Sequence, residues 1–351
     1  MASLDLLPEL PRGDLPAATA ARLQSILDEL VSGGAPDAIG AIITPNGAWS
    51  GAAGIDGPSL RKATARDEFN IASVSKPMLA ALILRLSQEG TLDLDAPLSA
   101  YLGDLAINAN GSTVRQALAM RSGIGDTPSD IQAEARADCA HAWSRTEVLR
   151  SIPAPHGSAG ATFEYSNPTY KLLGYAAERL TGQPLETAFN ERLFRPFGLD
   201  RVLLQGPAGA TPKPWALPNA SHAGALDLAS YGVGGTLPCL SISTFSFATS
   251  AVASDAPSLA RWGWALFSGK LLDRDHLVAM TTVDGNDYGL GIERLPDFAP
   301  DLAYGTHGGQ VGYSAFLAVL PASQTVVVAF INDEDADAQG ACRALARALA
   351  E

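Results

Sequence analysis

The stretch Ala315-Phe-Leu-Ala-Val-Leu320, Pro-Ala-Ser-Gln324, Thr325-Val-Val-Val-Ala-Phe-Ile331 reads as two strands around a short turn, and a helical pattern follows from Ala336 to Ala350. The other end of the chain runs in the opposite order. From Pro16 to Gly33 the apolar positions Ala20, Leu23, Ile26, Leu27, Leu30 and Val31 recur at three and four, which predicts an amphipathic helix closed by Gly33 and Gly34. Ala38 to Thr44 then predicts a strand, Pro45-Asn46-Gly47 a turn, and Ala48 to Ala53 a returning strand. A helix-strand-strand start and a strand-strand-helix finish are joined most economically in one antiparallel sheet built from both chain ends, with both terminal helices packed against it.

Between these ends lie helical patterns at Val74 to Gln88, Val114 to Met120, Thr169 to Leu180, Leu185 to Phe194 and Ser258 to Phe267. That order predicts an α/β (α+β) fold in which a mainly helical lobe is inserted into a sheet lobe, with a cleft between them. The expected boundaries are about 16–70 and 281–351 for the sheet lobe and about 71–280 for the helical lobe, within one domain spanning 1–351. No internal repeat interrupts the chain. The Gly/Pro-rich stretch from Gln205 to Leu240 reads as a long irregular segment at the cleft edge.

A net charge of −13 gives nucleic acid or an anionic membrane surface little to attract, so a small-molecule or peptide partner is expected. Met1 to Leu15 has neither a basic nor an apolar region of the kind a secretory leader carries, and no apolar run is long enough to cross a bilayer. The expectation from this stretch is a cytoplasmic protein, with no membrane partner. The three cysteines, Cys139, Cys239 and Cys342, lack metal or redox spacing and read as buried apolar thiols. Nothing calls for a metal, nucleotide or flavin: there is no P-loop and no G-x-G-x-x-G after a strand. Oligomeric state is not legible.

Three segments carry chemistry. Phe69-Asn-Ile-Ala-Ser73-Val-Ser-Lys76-Pro-Met-Leu-Ala80 places Ser-x-x-Lys at the start of an apolar helix. Positions three apart share a helix face, so the Lys76 amine can reach the Ser73 hydroxyl. Apolar surroundings lower an ammonium's pKa and make it a base near neutrality, and a helix N-terminus favours developing negative charge. The bland alternative is a chance match on a solvated lysine. The second segment is Phe163-Glu-Tyr165-Ser166-Asn167-Pro-Thr-Tyr170, a polar turn before a helix, from which Tyr165 would relay a proton and Asn167 would orient the lysine and a substrate carbonyl. Its alternative is a helix cap by Ser166 or Asn167 with Tyr165 packed in the core. The third is Tyr304-Gly-Thr-His307-Gly308-Gly309-Gln310-Val-Gly312-Tyr313, whose glycines let a backbone edge come close to a ligand before the strand that begins at Ala315. The other histidines, His141, His156, His222 and His276, read as surface or loop residues. Trp143, Trp215, Tyr231 and Phe245 are candidates for lining an acyl pocket or for ordinary packing.

In this order the three segments resemble those of the serine β-lactamase and penicillin-binding superfamily. The Tyr-x-Asn version is similar to the branch containing class C β-lactamases, D-alanyl-D-alanine carboxypeptidases, D-amino-acid-releasing amidases and family VIII esterases. Gly90-Thr-Leu-Asp-Leu-Asp-Ala-Pro97, Thr113 to Gly123 and Tyr288-Gly-Leu-Gly-Ile292 extend the likeness over about residues 35–335. The resemblance implies a β-lactamase/transpeptidase-like fold and a Ser73 acyl-enzyme. Lys76 and Tyr165 would share general base and acid roles, the backbone N–H groups of Ser73 and Gln310 would form an oxyanion hole, and Asn167, His307, Gly308 and Gly309 would position the substrate. Members that recognise a carboxylate carry Lys-Thr-Gly or His-Thr-Gly where this chain has His307-Gly308-Gly309, and a Gly-Gly pair is frequent among the esterases. A hydrolase of carboxylic esters or amides, or of short peptides, is therefore expected. A carboxypeptidase, a D-amino-acid amidase, a β-lactamase, an acyltransferase and a non-turnover β-lactam sensor stand as alternatives.

Overall fold

A computed structural model of the chain describes residues 4–57, 59–106, 108–207, 211–298 and 301–349. The first three residues of the Met1 to Leu15 stretch, residues 208–210 of the irregular segment and Ala350 of the last helical pattern lie outside the described residues. Helix α1 (Ala17–Ser32) buries Leu23 and Leu27, one turn apart on one face. Strands β1 (Asp37–Thr44) and β2 (Gly47–Gly54) form the expected hairpin. Helix α2 (Ser75–Gln88) is buried almost all round. Helix α3 (Asn167–Thr181) starts with Ser166 as its cap, accepting from the Thr169 N–H at 3.2 Å. Helix α4 (Ala256–Phe267) is capped by Asp255. The chain then runs through β3 (Glu293–Leu295), β4 (Ala303–Gln310), β5 (Tyr313–Leu320), β6 (Thr325–Ile331) and helix α5 (Ala338–Arg347).

The six strands make one antiparallel sheet in the order β2-β1-β6-β5-β4-β3, so the two chain ends meet where Ile39 to Ile43 pair with Phe330 to Val326. Alternate residues point to opposite faces of a strand. Ile42, Phe316, Ala318, Val327 and Ala329 pack with Leu23, Leu27, Ala341 and Leu345 of the terminal helices. Ile39, Ala41, Ile43, Leu317, Val319, Val326 and Val328 point the other way, into the core shared with Trp262 of α4 and with α2. Both faces being covered explains why β1, β5 and β6 are buried at every position and read as continuous apolar runs.

Two features depart from the sequence reading. The Tyr304 to Tyr313 stretch, expected as an approach before a strand from Ala315, is itself strand β4 turning at Val311-Gly312 into β5. Glycines weaken a strand's propensity, and here the close packing of β4 against the turn before α2 demands one. A second, three-stranded sheet of Phe69–Asn70, Val252–Ser254 and Val202–Leu204 was not foreseen, its strands being too short to show a period.

The cysteine expectation is corrected for two of the three. Cys139 and Cys239 are disulfide-bonded, their Cα atoms 5.5 Å apart, and Cys342 alone is a buried free thiol. Scattered spacing hides such a pair because the partners are 100 residues apart. Disulfides persist in oxidising surroundings, so this pairing and the cytoplasmic expectation pull in opposite directions. Closing so long a loop restricts the unfolded chain, and the Cys139→Ser/Cys239→Ser double variant is expected to lose about 2–5 kcal/mol of stability. Denaturant titration of oxidised protein beside the variant checks this, and equal midpoints would show the bond to be energetically idle. Among the described residues no helix is long and apolar enough to cross a membrane.

Candidate active site

Ser73 sits in a single 3-10 turn, Ala72–Val74, immediately before α2. The turn is clamped from several sides. Ala72 has φ +47°, a left-handed backbone that costs free energy for alanine. Its N–H donates to Asn70 Oδ1 at 2.7 Å, and Asn70 Nδ2 donates to the Leu237 carbonyl at 2.7 Å. Ser75 Oγ donates to the Ala72 carbonyl at 2.6 Å and accepts from the Val252 N–H at 3.1 Å. Across the sheet, a Cβ at position 308 would collide with the Ile71 carbonyl, so Gly308 is what lets β4 lie against this turn.

Lys76, on the first turn of α2, is 1% exposed. Its Nζ donates to Ser73 Oγ at 2.9 Å and to the Thr249 carbonyl at 3.2 Å, and lies 4.8 Å from the centre of the Tyr165 ring. Burial lowers its pKa to about 7, against the upward pull of Asp126 and Glu293. Tyr165 Oη donates to Ser73 Oγ at 2.8 Å. Burial pushes this phenol's pKa well up, with the Ser73 hydrogen bond opposing, so Tyr165 is a proton-holding phenol at neutral pH. Ser73 thus faces an amine whose pKa burial brings down toward neutrality and a phenol that keeps its proton.

Asn167 opens α3 and is turned toward the loop carboxylate of Asp126. Its Nδ2 donates to Asp126 Oδ1 and Oδ2 at 3.0 and 3.1 Å, and its backbone N–H donates to Oδ1 at 3.1 Å. The carboxylate is thereby placed at a helix N-terminus, where negative charge is favoured. His307 is exposed on β4, with Nε2 3.3 Å from Ser314 Oγ. Gly309 and Gln310 end that strand, and Gln310 Nε2 donates to Ser246 Oγ at 3.4 Å. A cavity of about 360 Å³ is lined by Ser73, Asn167, Gly309 and Gln310, together with Lys171 and Phe245. Of the four aromatic candidates only Phe245 lines it; Trp143 packs against Phe245 with the rings tilted and their centres 4.8 Å apart.

The structure therefore gathers Ser73, Lys76 and Tyr165 by direct hydrogen bonds, and Asn167, Gly309 and Gln310 around the same cavity. Sequence reasoning missed Asn70, Thr249, Asp126, Glu293 and Lys171. Lys171 alone left a signal, a lysine one turn beyond Asn167 in the apolar run Tyr170-Lys-Leu-Leu-Gly174. Among the described residues no group of three or more His, Cys, Asp or Glu side chains is placed to hold a metal ion.

The antiparallel sheet, its flanking helices and the helical segments around Ser73 define the β-lactamase/transpeptidase-like class. The chain belongs to the Beta-lactamase family, which it matches over residues 23–351. Among solved structures it resembles a D-stereospecific amidohydrolase from Streptomyces sp., at 25% identity and TM-score 0.74, covering 90% of this chain and 94% of that one. It also resembles the D-amino acid amidase of Ochrobactrum anthropi SV3, solved with L-phenylalanine amide, at 23% identity and TM-score 0.79 over 95% and 98% of the two chains. Among curated proteins it is 36% identical over 130 residues to Protein flp of Staphylococcus aureus (strain COL), covering 35% of this chain and 25% of that protein. The putative penicillin-binding protein PbpX of Bacillus subtilis (strain 168) is 22% identical over 75% of this chain and 62% of its own length. The chain thus spans about a quarter of the staphylococcal relative.

Proposed function

We propose that the protein is a serine hydrolase of carboxylic esters or amides that works through an acyl-enzyme on Ser73. The observation that carries this reading is the convergence of Lys76 Nζ and Tyr165 Oη on Ser73 Oγ, at 2.9 and 2.8 Å, beside an open cavity. Lys76 in its neutral form takes the Ser73 proton as Oγ bonds to the substrate carbonyl carbon. The resulting oxyanion is received by the backbone N–H groups of Ser73 and Gln310. Tyr165 gives its proton to the leaving oxygen or nitrogen as the scissile bond breaks, and the Lys76 ammonium restores the phenol. Water attacks the acyl-enzyme by the same route in reverse and frees the acid. On this reading Asn167 and His307 flank the substrate, Gly308 keeps β4 close, Gly309 borders the cavity, and the site lies between the sheet lobe (about 16–70 and 281–351) and the helical lobe (about 71–280).

The test is turnover of p-nitrophenyl acetate and butyrate, followed by acid quench and peptide mass analysis. Acetyl or butyryl mass on the peptide bearing Ser73 is expected. Turnover with the acyl mass on any other residue would overturn the assignment. A panel of D- and L-amino acid amides run alongside separates ester from amide preference.

A further inference from the structure

Lys171 is the second lysine the fold buries, and the chemistry above leaves it without a task. It lies four residues beyond Asn167, so both side chains project from one face of α3 into the cavity that holds Ser73. It is 1% exposed, and among the described residues its Nζ has no hydrogen-bond partner. Its close neighbour is the Phe245 ring, 3.4 Å away at the centroid. Thr127 Oγ1 and Asn167 Oδ1, which also border the cavity, are buried and unpartnered as well. A buried ammonium without a partner is costly, and an apolar residue of similar length would pack here more stably. The group has a use if a ligand supplies what it lacks.

We propose that Lys171 and Thr127 form a specificity-determining subsite that receives a carboxylate carried by the acyl part of the substrate. The proposal rests on the reading that the acyl group attached to Ser73 occupies this cavity. The donor inventory selects the ligand: an ammonium offers three N–H bonds and the threonine one O–H, all requiring an acceptor. Asp126, whose carboxylate accepts from the Asn167 amide and backbone N–H, acts on Lys171 through its charge alone and shares no hydrogen bond with Nζ. Arg136 borders the same cavity and adds positive charge, while Glu334 and Asp335 reach it from the segment after β6. A chain with a reactive carbonyl at Ser73 and a carboxylate at Lys171 is an ω-carboxylated acyl group, the monoester or monoamide of a short dicarboxylic acid. Burial lowers the Lys171 pKa to about 7, against the upward pull of Asp126 and with Lys76 adding to the fall, and a bound carboxylate would favour the charged form further.

Binding tests this without turnover. Calorimetry on the Ser73→Ala protein compares succinamate, glutaramate and adipamate with the uncharged amides of equal chain length. At least one ω-carboxylated amide is expected to bind about tenfold or more tightly than its uncharged partner, the scale of one charge-assisted hydrogen bond. Adding Lys171→Met should erase that difference, and Lys171→Arg should keep part of it. A purely structural lysine would show no such selectivity. Equal affinity for both series, no measurable binding of any carboxylated amide at millimolar concentration, or a preference that survives Lys171→Met would overturn the subsite. Thermal melting guards against misfolding, because Lys171→Met removes an unpaired buried amine and should raise Tm at neutral pH. Failure of the acyl-enzyme reading shows separately, as ester turnover that persists in Ser73→Ala.

Discussion

Ser73→Ala is expected to lower kcat/KM for p-nitrophenyl butyrate by about 10³-fold or more while the fold is retained. The lost atom is the one on which both the amine and the phenol converge, so no neighbouring group can substitute for it. The structural cost is small. Lys76 keeps its hydrogen bond to the Thr249 carbonyl at 3.2 Å, and the Asn70 and Ser75 bonds that shape the turn do not involve Oγ of residue 73. Steady-state kinetics with circular dichroism melting separates the two effects. A variant that turns over like wild type would remove Ser73 from the mechanism.

Lys76→Met is expected to lower kcat/KM by about 10²–10⁴-fold, the usual contribution of a positioned base, and to change the pH profile as well as the rate. With the Lys76 pKa lowered to about 7, the wild-type rate should climb as pH rises through 7 and level off above it. The variant should lack that rise. Stability rises with pH as well, over a higher window. Between the folded value of about 7 and the ordinary 10.5, the unfolded chain holds a proton that the folded chain has released, so wild-type stability rises with pH across that window. Below about 7 the buried ammonium weighs fully on the fold. Lys76→Met removes that weight, and its Tm advantage should be greatest below pH 7 and fade as pH approaches 10.5. Lys171, whose pKa is also lowered to about 7, gives the same sign, so the slope is halved rather than abolished in either single variant. Melts across pH 6 to 10 read both, and a flat difference would show that Lys76 is not desolvated in solution.

Much of this was legible because the deciding signals are local. The apolar runs of β1, β5 and β6 and the spacing of Leu23 and Leu27 are set by burial, which leaves a period in the sequence. Residue type and spacing left Ser73, Lys76 and Tyr165 each with a bland alternative, and the resemblance of the three segments to a known family singled them out; the fold brings Tyr165 within hydrogen-bond reach of Ser73 across 92 residues of chain. What escaped was built by close approach. His307-Gly308-Gly309 reads as a loop because glycine disfavours strands, yet Gly308 lies in one because the Ile71 carbonyl leaves no room for a Cβ. Asp126 and Thr249 act through a carboxylate and a backbone carbonyl in irregular segments, where neither residue type nor period distinguishes them from any other loop residue. The Cys139–Cys239 bond escaped for the same reason.

That bond also couples two parts of the cavity lining. Gln132, Ala135 and Arg136, just before Cys139, form one wall of the cavity, and Ile242, Phe245 and Ser246, just after Cys239, form another. The reacting groups lean on the second wall: Asn70, which shapes the Ser73 turn, donates to the Leu237 carbonyl two residues before Cys239, and Lys76 Nζ donates to the Thr249 carbonyl beyond it. Reduction of the bond would therefore be expected to loosen the cavity walls and the Ser73 surroundings together, so that redox state would be read in reactivity and substrate range at once.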